Sequence, residues 1–475
     1  MRVRQIATSV AVLVLAGGAC GLAVATLPKP EGALTVPVIE NTGDYAQALC
    51  PGGFERTFGQ GVDVTQVNED VAMSSWFVTA SKSREFLPWS GTETPGALTF
   101  SEAPVATSNG AVVGSLQVEQ ESAQADQFAG ANIYSAKAGD TRGLAIGPCL
   151  SSAVDFWFVG AASGIGTSNQ LLLFNPGHTP VTVSLSAYGS TGPLSLGAAS
   201  SVAIAADSMA RVDLDGLIPT NSRIALHAST DSGEIAALLQ TNEIEGVKPR
   251  GVSFISGSSK GRELLIPAIA IPEDPATIPS VRLVNTESVE AKVSVEIIGS
   301  EGSVELAGGD VVVAPEAVLD LSLSGVKPGN YALRITSEQA IAAGALLVTP
   351  DSSAGARDVA WASAREPLTS GAIAFGETTT TAIVTSTSNG PANVEIVPVT
   401  AQGMELDPLP LKIQGSETAS LELPADSVGF FFSSSQPVVA GAISRIALDG
   451  GDGMEWSPVF TPAADEAAGR IAATN

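Results

Sequence analysis

The last two-thirds of the chain carry one passage three times, at a spacing of roughly a hundred residues, the length of one small β-sandwich. Leu173-Phe174-Asn175 leads to Val181-Thr182-Val183-Ser184-Leu185, Leu283-Val284-Asn285 to Val293-Ser294-Val295, and Val384-Thr385-Ser386 to Val394-Glu395-Ile396. Each then reaches a glycine turn, at Gly189–Gly192, Gly299–Gly302 and Thr400–Gly403. Short alternating strands follow at Val212-Asp213-Leu214, Leu321-Ser322-Leu323 and Leu421-Glu422-Leu423, and small apolar strands at Ile235-Ala236-Ala237, Ile341–Ala345 and Val438–Ala442. An aromatic stands in the closing strand of each unit: Phe254, Trp361 and Trp456. Landmarks kept in one order through three units describe architecture before they describe chemistry.

Within each unit the runs are four to eight residues long, rich in Val, Ile and Ala, and broken by turn residues every eight to twelve positions. That pattern predicts an all-β chain of tandem immunoglobulin-like antiparallel sandwiches. Alternation such as Val181-Thr182-Val183-Ser184-Leu185 buries one face and wets the other, so a slip of one residue would turn every valine outward. The expected divisions are an N-terminal β-region over 31–150, repeats over 151–260, 261–367 and 368–462, and a tail over 463–475. A row of such units would make a stiff rod with its loops at the unit ends.

Charged residues are only 15% of the chain, and Asp plus Glu outnumber Lys plus Arg by 49 to 23. An acidic surface opposes nucleic acid and anionic lipid, both of which need clustered basic side chains. Arg2 and Arg4 precede an uncharged stretch from Ile6 to Leu27, which fits an export signal cleaved after Ala25 or a retained membrane anchor over residues 1–30. In either case the bulk of the chain lies outside the cell, and that helix is the only expected membrane contact.

Cys20 lies inside the apolar stretch, which leaves Cys50 and Cys149 as the pair in the exported portion. A structural disulfide between them is expected, stabilising by about 4 kcal/mol in the chain-entropy model. A redox pair would normally show Cys-x-x-Cys spacing, which is not present here. Between them, strand-like runs stand at 72–80, 97–101, 111–118 and 131–136, with Asn109-Gly110 as a hairpin turn and 119–126 as a polar loop or short helical turn.

The most specific local text is Arg142-Gly143-Leu144-Ala145-Ile146-Gly147-Pro148-Cys149, followed by Asp155-Phe156-Trp157-Phe158-Val159-Gly160. With Cys50-Pro51-Gly52 upstream and the Asn175-Pro176 turn downstream, this passage resembles the actinobacterial exported family known as domain of unknown function 5719. The resemblance implies β-rich domains in the cell envelope behind a signal or anchor, and it brings no assigned activity or catalytic residues. The third repeat departs from the pattern by carrying Ser386 where the first two carry asparagine.

Chemistry-bearing residues are sparse. His178 sits in the Asn175-Pro176-Gly177-His178 turn, where the second repeat has Ser288, and His227 stands in a strand shared with Arg223 and Ala225. Neither has a neighbour at metal-ligand spacing, and no Gly-x-Ser-x-Gly elbow accompanies them. Asp213 and Asp215 share a strand face by alternation and read as solvated strand-end residues, with Ser322 and Ser324 at the matching places. Asp449-Gly450-Gly451-Asp452-Gly453-Met454-Glu455 reads as a flexible acidic loop whose oxygens suit calcium, without the spacing of a known calcium loop. Gly164 to Gly166 lacks the third glycine and helix of a nucleotide site. Trp157 reads as core, Trp76 is equivocal, and Trp89, beside Pro88 and Ser90, is the candidate exposed ring for ligand contact.

These residues favour a non-catalytic envelope protein that binds or scaffolds, with no cofactor and with an envelope protein or polysaccharide as partner. A polysaccharide-binding module is the alternative. A more distant one is a hydrolase or transferase whose site is assembled between domains from scattered acids and a histidine.

Overall fold

A computed structural model describes residues 45–55, 70–81, 84–89, 98, 104–119 and 127–461, apart from 219, 275 and 389. The signal or anchor, the run at 97–101 except Leu98, the polar loop at 120–126 and the tail beyond Thr461 lie outside the described residues. Among those described, every sheet pairing is antiparallel, and the one helical element is a 3-10 turn at Gly197–Ser200. No helix among them is long and apolar enough to cross a membrane.

The first repeated passage builds two sheets around one apolar core, and the second and third each join their strands in one sheet, of eight and seven strands. In the first, Asp155–Val159, Ala225–Thr230 and Val181–Gly189 form one sheet, and Ser208–Asp213, Thr167–Asn175, Ala236–Glu245 and Lys248–Ser256 form the other. Phe158, Val183, Leu185 and Leu226 of the first meet Leu171, Leu173, Leu239 and Ile255 of the second, all buried. The alternation in Val181–Gly189 is realised: Val181, Val183, Leu185 and Ala187 are buried while Thr182, Ser184 and Ser186 are exposed. The later passages repeat the plan with one change. A single strand, Gly329–Val348 in one and Ser427–Leu448 in the other, runs on where the first passage breaks between Thr230 and Ala236, and so joins the two layers in one sheet. Strands of four to eight residues were expected, and these are longer because a bulged strand bends from one layer into the next without a turn.

The asparagine of the repeated turn has a structural reason. Asn175 and Asn285 are fully buried, and each side-chain amide donates to three carbonyls: Thr179, Ile204 and Ala205 for the first, Val289, Val313 and Ala314 for the second. Each carboxamide oxygen accepts from a backbone N–H two residues on, at Gly177 and Glu287. The third unit replaces this clasp with hydroxyls: Ser386 to Ser388, and Thr385 to Thr418.

The N-terminal region also forms two sheets, Tyr45–Pro51 with Val113–Glu119 and Arg84–Pro88, and Val105–Asn109 with Val71–Thr79, Phe128–Ala136 and Gly143–Pro148. The expected hairpin at Asn109-Gly110 is therefore corrected: the strands flanking it belong to different sheets, and Gly110, at φ +113, donates its N–H to Met73. Glycine tolerates that φ for a crossing between sheets as readily as for a hairpin. Cys50 and Cys149 are bonded across 99 residues, tying the first strand to the residue that follows Gly143–Pro148.

The four groups of strands belong to one compact unit, and they do not form a row. Phe54, Tyr134 and Ala145 of the N-terminal region share a core with Phe174, Leu238 and Phe254. Trp157, Val159 and Ala225 pack on Val284, Val318 and Ala342, and Leu265, Ile298 and Ala332 pack on Val439. The circuit closes where Trp76, Phe77 and Phe128 join Phe375, Phe430 and Phe460 in one core, with the Phe128 and Phe460 rings 5.0 Å apart. A rod would leave the faces of the first and last groups in water. Here each face is buried against a neighbour, the outcome apolar surface favours.

Candidate functional site

The closing strands of the four groups, Gly143–Pro148, Lys248–Ser256, Val359–Ser363 and Gly451–Pro458, run the same way and pack against one another in a closed circuit. Their registers coincide: Arg142-Gly143-Leu144, Arg250-Gly251-Val252, Arg357-Asp358-Val359 and Asp452-Gly453-Met454 occupy equivalent places. Three of the four have glycine at the second place and one has Asp358, which is fully buried. The Asp358 carboxylate accepts backbone N–H bonds from Leu144 at 2.8 Å, Met454 at 2.9 Å and Val252 at 3.1 Å, and also from Val359. One side chain thus binds the equivalent amide of all four groups.

Gly143 and Gly251 are required by the same geometry. A Cβ at Gly143 would sit 2.5 Å from Asp358 Oδ1, and one at Gly251, where φ is +121, would sit 2.7 Å from the same oxygen and 2.6 Å from the Val359 nitrogen. A Cβ at Gly453 would instead meet the Leu448 side chain at 2.8 Å and that of Leu144 at 3.1 Å.

A second buried acid lies two residues further along the last strand. Glu455 is fully buried; its Oε1 accepts from the Trp456 N–H and the Ser253 hydroxyl at 3.0 Å each, and its Oε2 from the Phe254 N–H at 3.1 Å. Burial pushes the Asp358 carboxyl up to about 7, against the pull of its four N–H donors. Burial also raises Glu455 well above the ordinary carboxylate range, and the charge on Asp358 adds to that rise. Every neighbour hydrogen-bonded to these acids is a backbone N–H or a hydroxyl donor, so their oxygens are spent within the protein. Among the described residues no group of three or more His, Cys, Asp or Glu could hold a metal ion.

The residues singled out from the sequence lie elsewhere, with one exception. His178 is exposed and its Nδ1 stands 3.1 Å from Asp207. His227 is half-buried, stacked on Trp157 with centroids 4.0 Å apart, and its Nε2 is 2.7 Å from Asp155. The hydrogen bond from His227 holds Asp155 below the usual carboxylate range. Asp213 accepts from Gln170, while Asp215 lies past the strand end, accepts from the Asn169 N–H and is raised by burial. Trp89 is half-buried, edge-on to Phe174 at 5.3 Å, and is not a freely exposed ring; Trp76, Trp157, Trp361 and Trp456 are all buried. The stretch from Asp449 to Glu455 is corrected from a flexible loop to a hairpin joining Ser427–Leu448 to Gly451–Pro458. Its last acid, Glu455, is the exception that belongs to the hub.

Asp358 itself was missed. Aligning the closing strands on Phe254, Trp361 and Trp456 brings Arg250, Arg357 and Asp452 into one column, and Arg142 extends it to the N-terminal region, which marks the shared register but not the acid that joins the groups. At that mouth Arg142 is buried, donating from Nε to the Asp449 carbonyl at 3.0 Å, and Arg250 pairs with Glu245 and Asp351.

The arrangement defines a class: an all-β body of multiple antiparallel sheets, closed around a buried carboxylate hub. Residues 103–424 match the Family of unknown function (DUF5719), and the chain belongs to that family. No curated protein matches the sequence. Among solved structures the chain is similar to a biofilm-associated protein BSP domain, at 9% identity over 88% of this chain and 96% of that one, with a TM-score of 0.14. It is also similar to a GH78 family rhamnosidase of Bacillus sp. GL1, at 11% identity over 64% of this chain and 54% of that one, with a TM-score of 0.12. Likenesses this slight carry no argument about fold or function.

Proposed function

We propose that the protein is a non-catalytic binding or scaffolding component of the cell envelope, exported behind its N-terminal segment and built of immunoglobulin-like sandwiches. The observation that carries the reading is the commitment of the buried acids. Asp358 and Glu455, the acids with the most raised pKa values, spend their oxygens on backbone and hydroxyl donors that tie the groups together. Perturbed carboxyls in a cleft are candidate acid–base catalysts, but a proton donor needs a free path to substrate, and these are enclosed. The disulfide between Cys50 and Cys149 supports an oxidising compartment.

The test is a null strain complemented by a His178→Ala, His227→Ala double variant that folds as the parent does. Full complementation is expected, and a lost cellular function would sink the reading in favour of chemistry at a histidine. Protease shaving of intact cells should degrade the chain; complete protection would overturn the exported location.

A further inference from the structure

The strands that converge on Asp358 at their beginnings part at their ends. There a cavity of about 680 Å³ opens, bordered by Pro148 and Cys149 after the first closing strand, Ser256 to Ser259 after the second, Arg365 after the third, and Pro458 to Thr461 at the fourth. All four groups contribute to its wall. Most basic side chains described with a partner are held by acids, as Arg282 is by Asp320, Arg334 by Glu296, Lys260 by Glu287 and Lys292 by Glu338. Arg365 differs.

Its guanidinium lies over the Trp456 ring, 5.6 Å from the centroid, and its Nε is buried with no hydrogen-bond partner. Its backbone N–H donates to Leu265, which fixes where the side chain departs from the strand end. The residue keeps a partly exposed face although protein encloses the group closely enough for burial to lower its pKa to about 10. Both hold for a side chain set in a recess: most directions meet protein, and one meets the cavity.

We propose that this cavity is a binding site for a carboxylate-bearing sugar, its carboxylate taken by Arg365 and its hydroxyls by Ser256 and Ser259. A planar guanidinium presents paired donors that match a carboxylate, and stacking on an aromatic ring holds the fork still. The charge balance selects a single negative charge. Asp155 lines the same cavity but is engaged by His227, and Glu366 lines an adjoining cavity of about 270 Å³ that also includes Arg365, so a dianion would meet added repulsion. Ser151 is bound to the Thr461 carbonyl, Ser152 to Glu234 and Ser258 to the Ala343 carbonyl, which leaves Ser256 and Ser259 to bring hydroxyls to the wall. The site stands on the cavity and its arginine, whether or not the protein works in the envelope.

The probe is sodium glucuronate, titrated into the full chain by calorimetry, with glucose and glucose 6-phosphate as comparison ligands. Saturable binding of glucuronate, none of glucose at the same concentration, and weaker binding of glucose 6-phosphate are expected. Arg365→Gln should weaken glucuronate at least tenfold and Arg365→Lys by less, with melting temperatures close to that of the parent. Leu368→Trp, which fills the cavity and leaves the guanidinium in place, should abolish binding even if Arg365→Gln fails to fold. Absence of glucuronate binding, glucose binding as well as glucuronate, or undiminished binding by a folded Arg365→Gln protein would each overturn the proposal. Tighter binding of the phosphate ester would overturn the assignment to a carboxylate.

Discussion

Replacing Asp358 with alanine removes one small side chain and strips an acceptor from amides in every group of strands. The Leu144, Val252 and Met454 N–H groups lose the oxygen that each meets at 2.8 to 3.1 Å in a fully buried centre. A buried donor left without a partner costs about 1–3 kcal/mol, so three of them cost about 3–9 kcal/mol, a large part of the roughly 5–15 kcal/mol that holds a typical protein folded. Because the three amides come from three different groups, the loss should fall on the association of the groups more than on any one core. Urea unfolding followed by near-ultraviolet circular dichroism and by tryptophan emission should show coincident transitions in the parent. In the variant the midpoint should fall and the two probes should separate. A shift equivalent to less than about 1 kcal/mol, or transitions that stay coincident, would refute the claim that this carboxylate joins the groups.

Gly251→Ala should destabilise by about 3 kcal/mol or more, since its Cβ would sit 2.7 Å from Asp358 Oδ1 at a backbone φ of +121; a melting temperature within a degree of the parent would contradict this. Asp358, at about 7, and Glu455 are both raised in the folded state, so the native chain holds protons that the unfolded chain releases above about pH 4. The Asp358 contribution is fully present below about pH 4 and is lost as pH rises through about 7, and Glu455 acts in the same direction; the urea midpoint should therefore be higher at pH 5.5 than at pH 8, with Glu455→Gln flattening the difference. Separating Cys50 from Cys149 by a Cys50→Ser, Cys149→Ser double substitution frees a connection closing 99 residues. It should cost about 4 kcal/mol, read as a lower denaturant midpoint that no longer responds to reductant. Asn285→Ala leaves three carbonyls and one N–H of a buried turn without their side-chain partner and should lower stability by about 2–3 kcal/mol, checked by thermal denaturation.

The sequence by itself determined the sheets. Alternating valines in Val181–Gly189 and Ala291–Gly299 fix which face is buried, and the recurring Asn175 and Asn285 mark a turn whose bonds are local enough to be written in a short stretch of chain. Only the tertiary structure decided that the groups of strands close on themselves and that an aspartate joins their closing strands. Asp358 is legible in the text only as an acid before a strand, because its partners lie 214, 106 and 96 residues away. The same holds for Glu455, which looks solvated within an acidic run until a neighbouring group covers it. A hydrophobic pattern records how a strand meets its own sheet, whereas the choice of partner for a whole sheet face depends on surfaces assembled from distant segments. That is the physical reason the strands could be read and the hub could not.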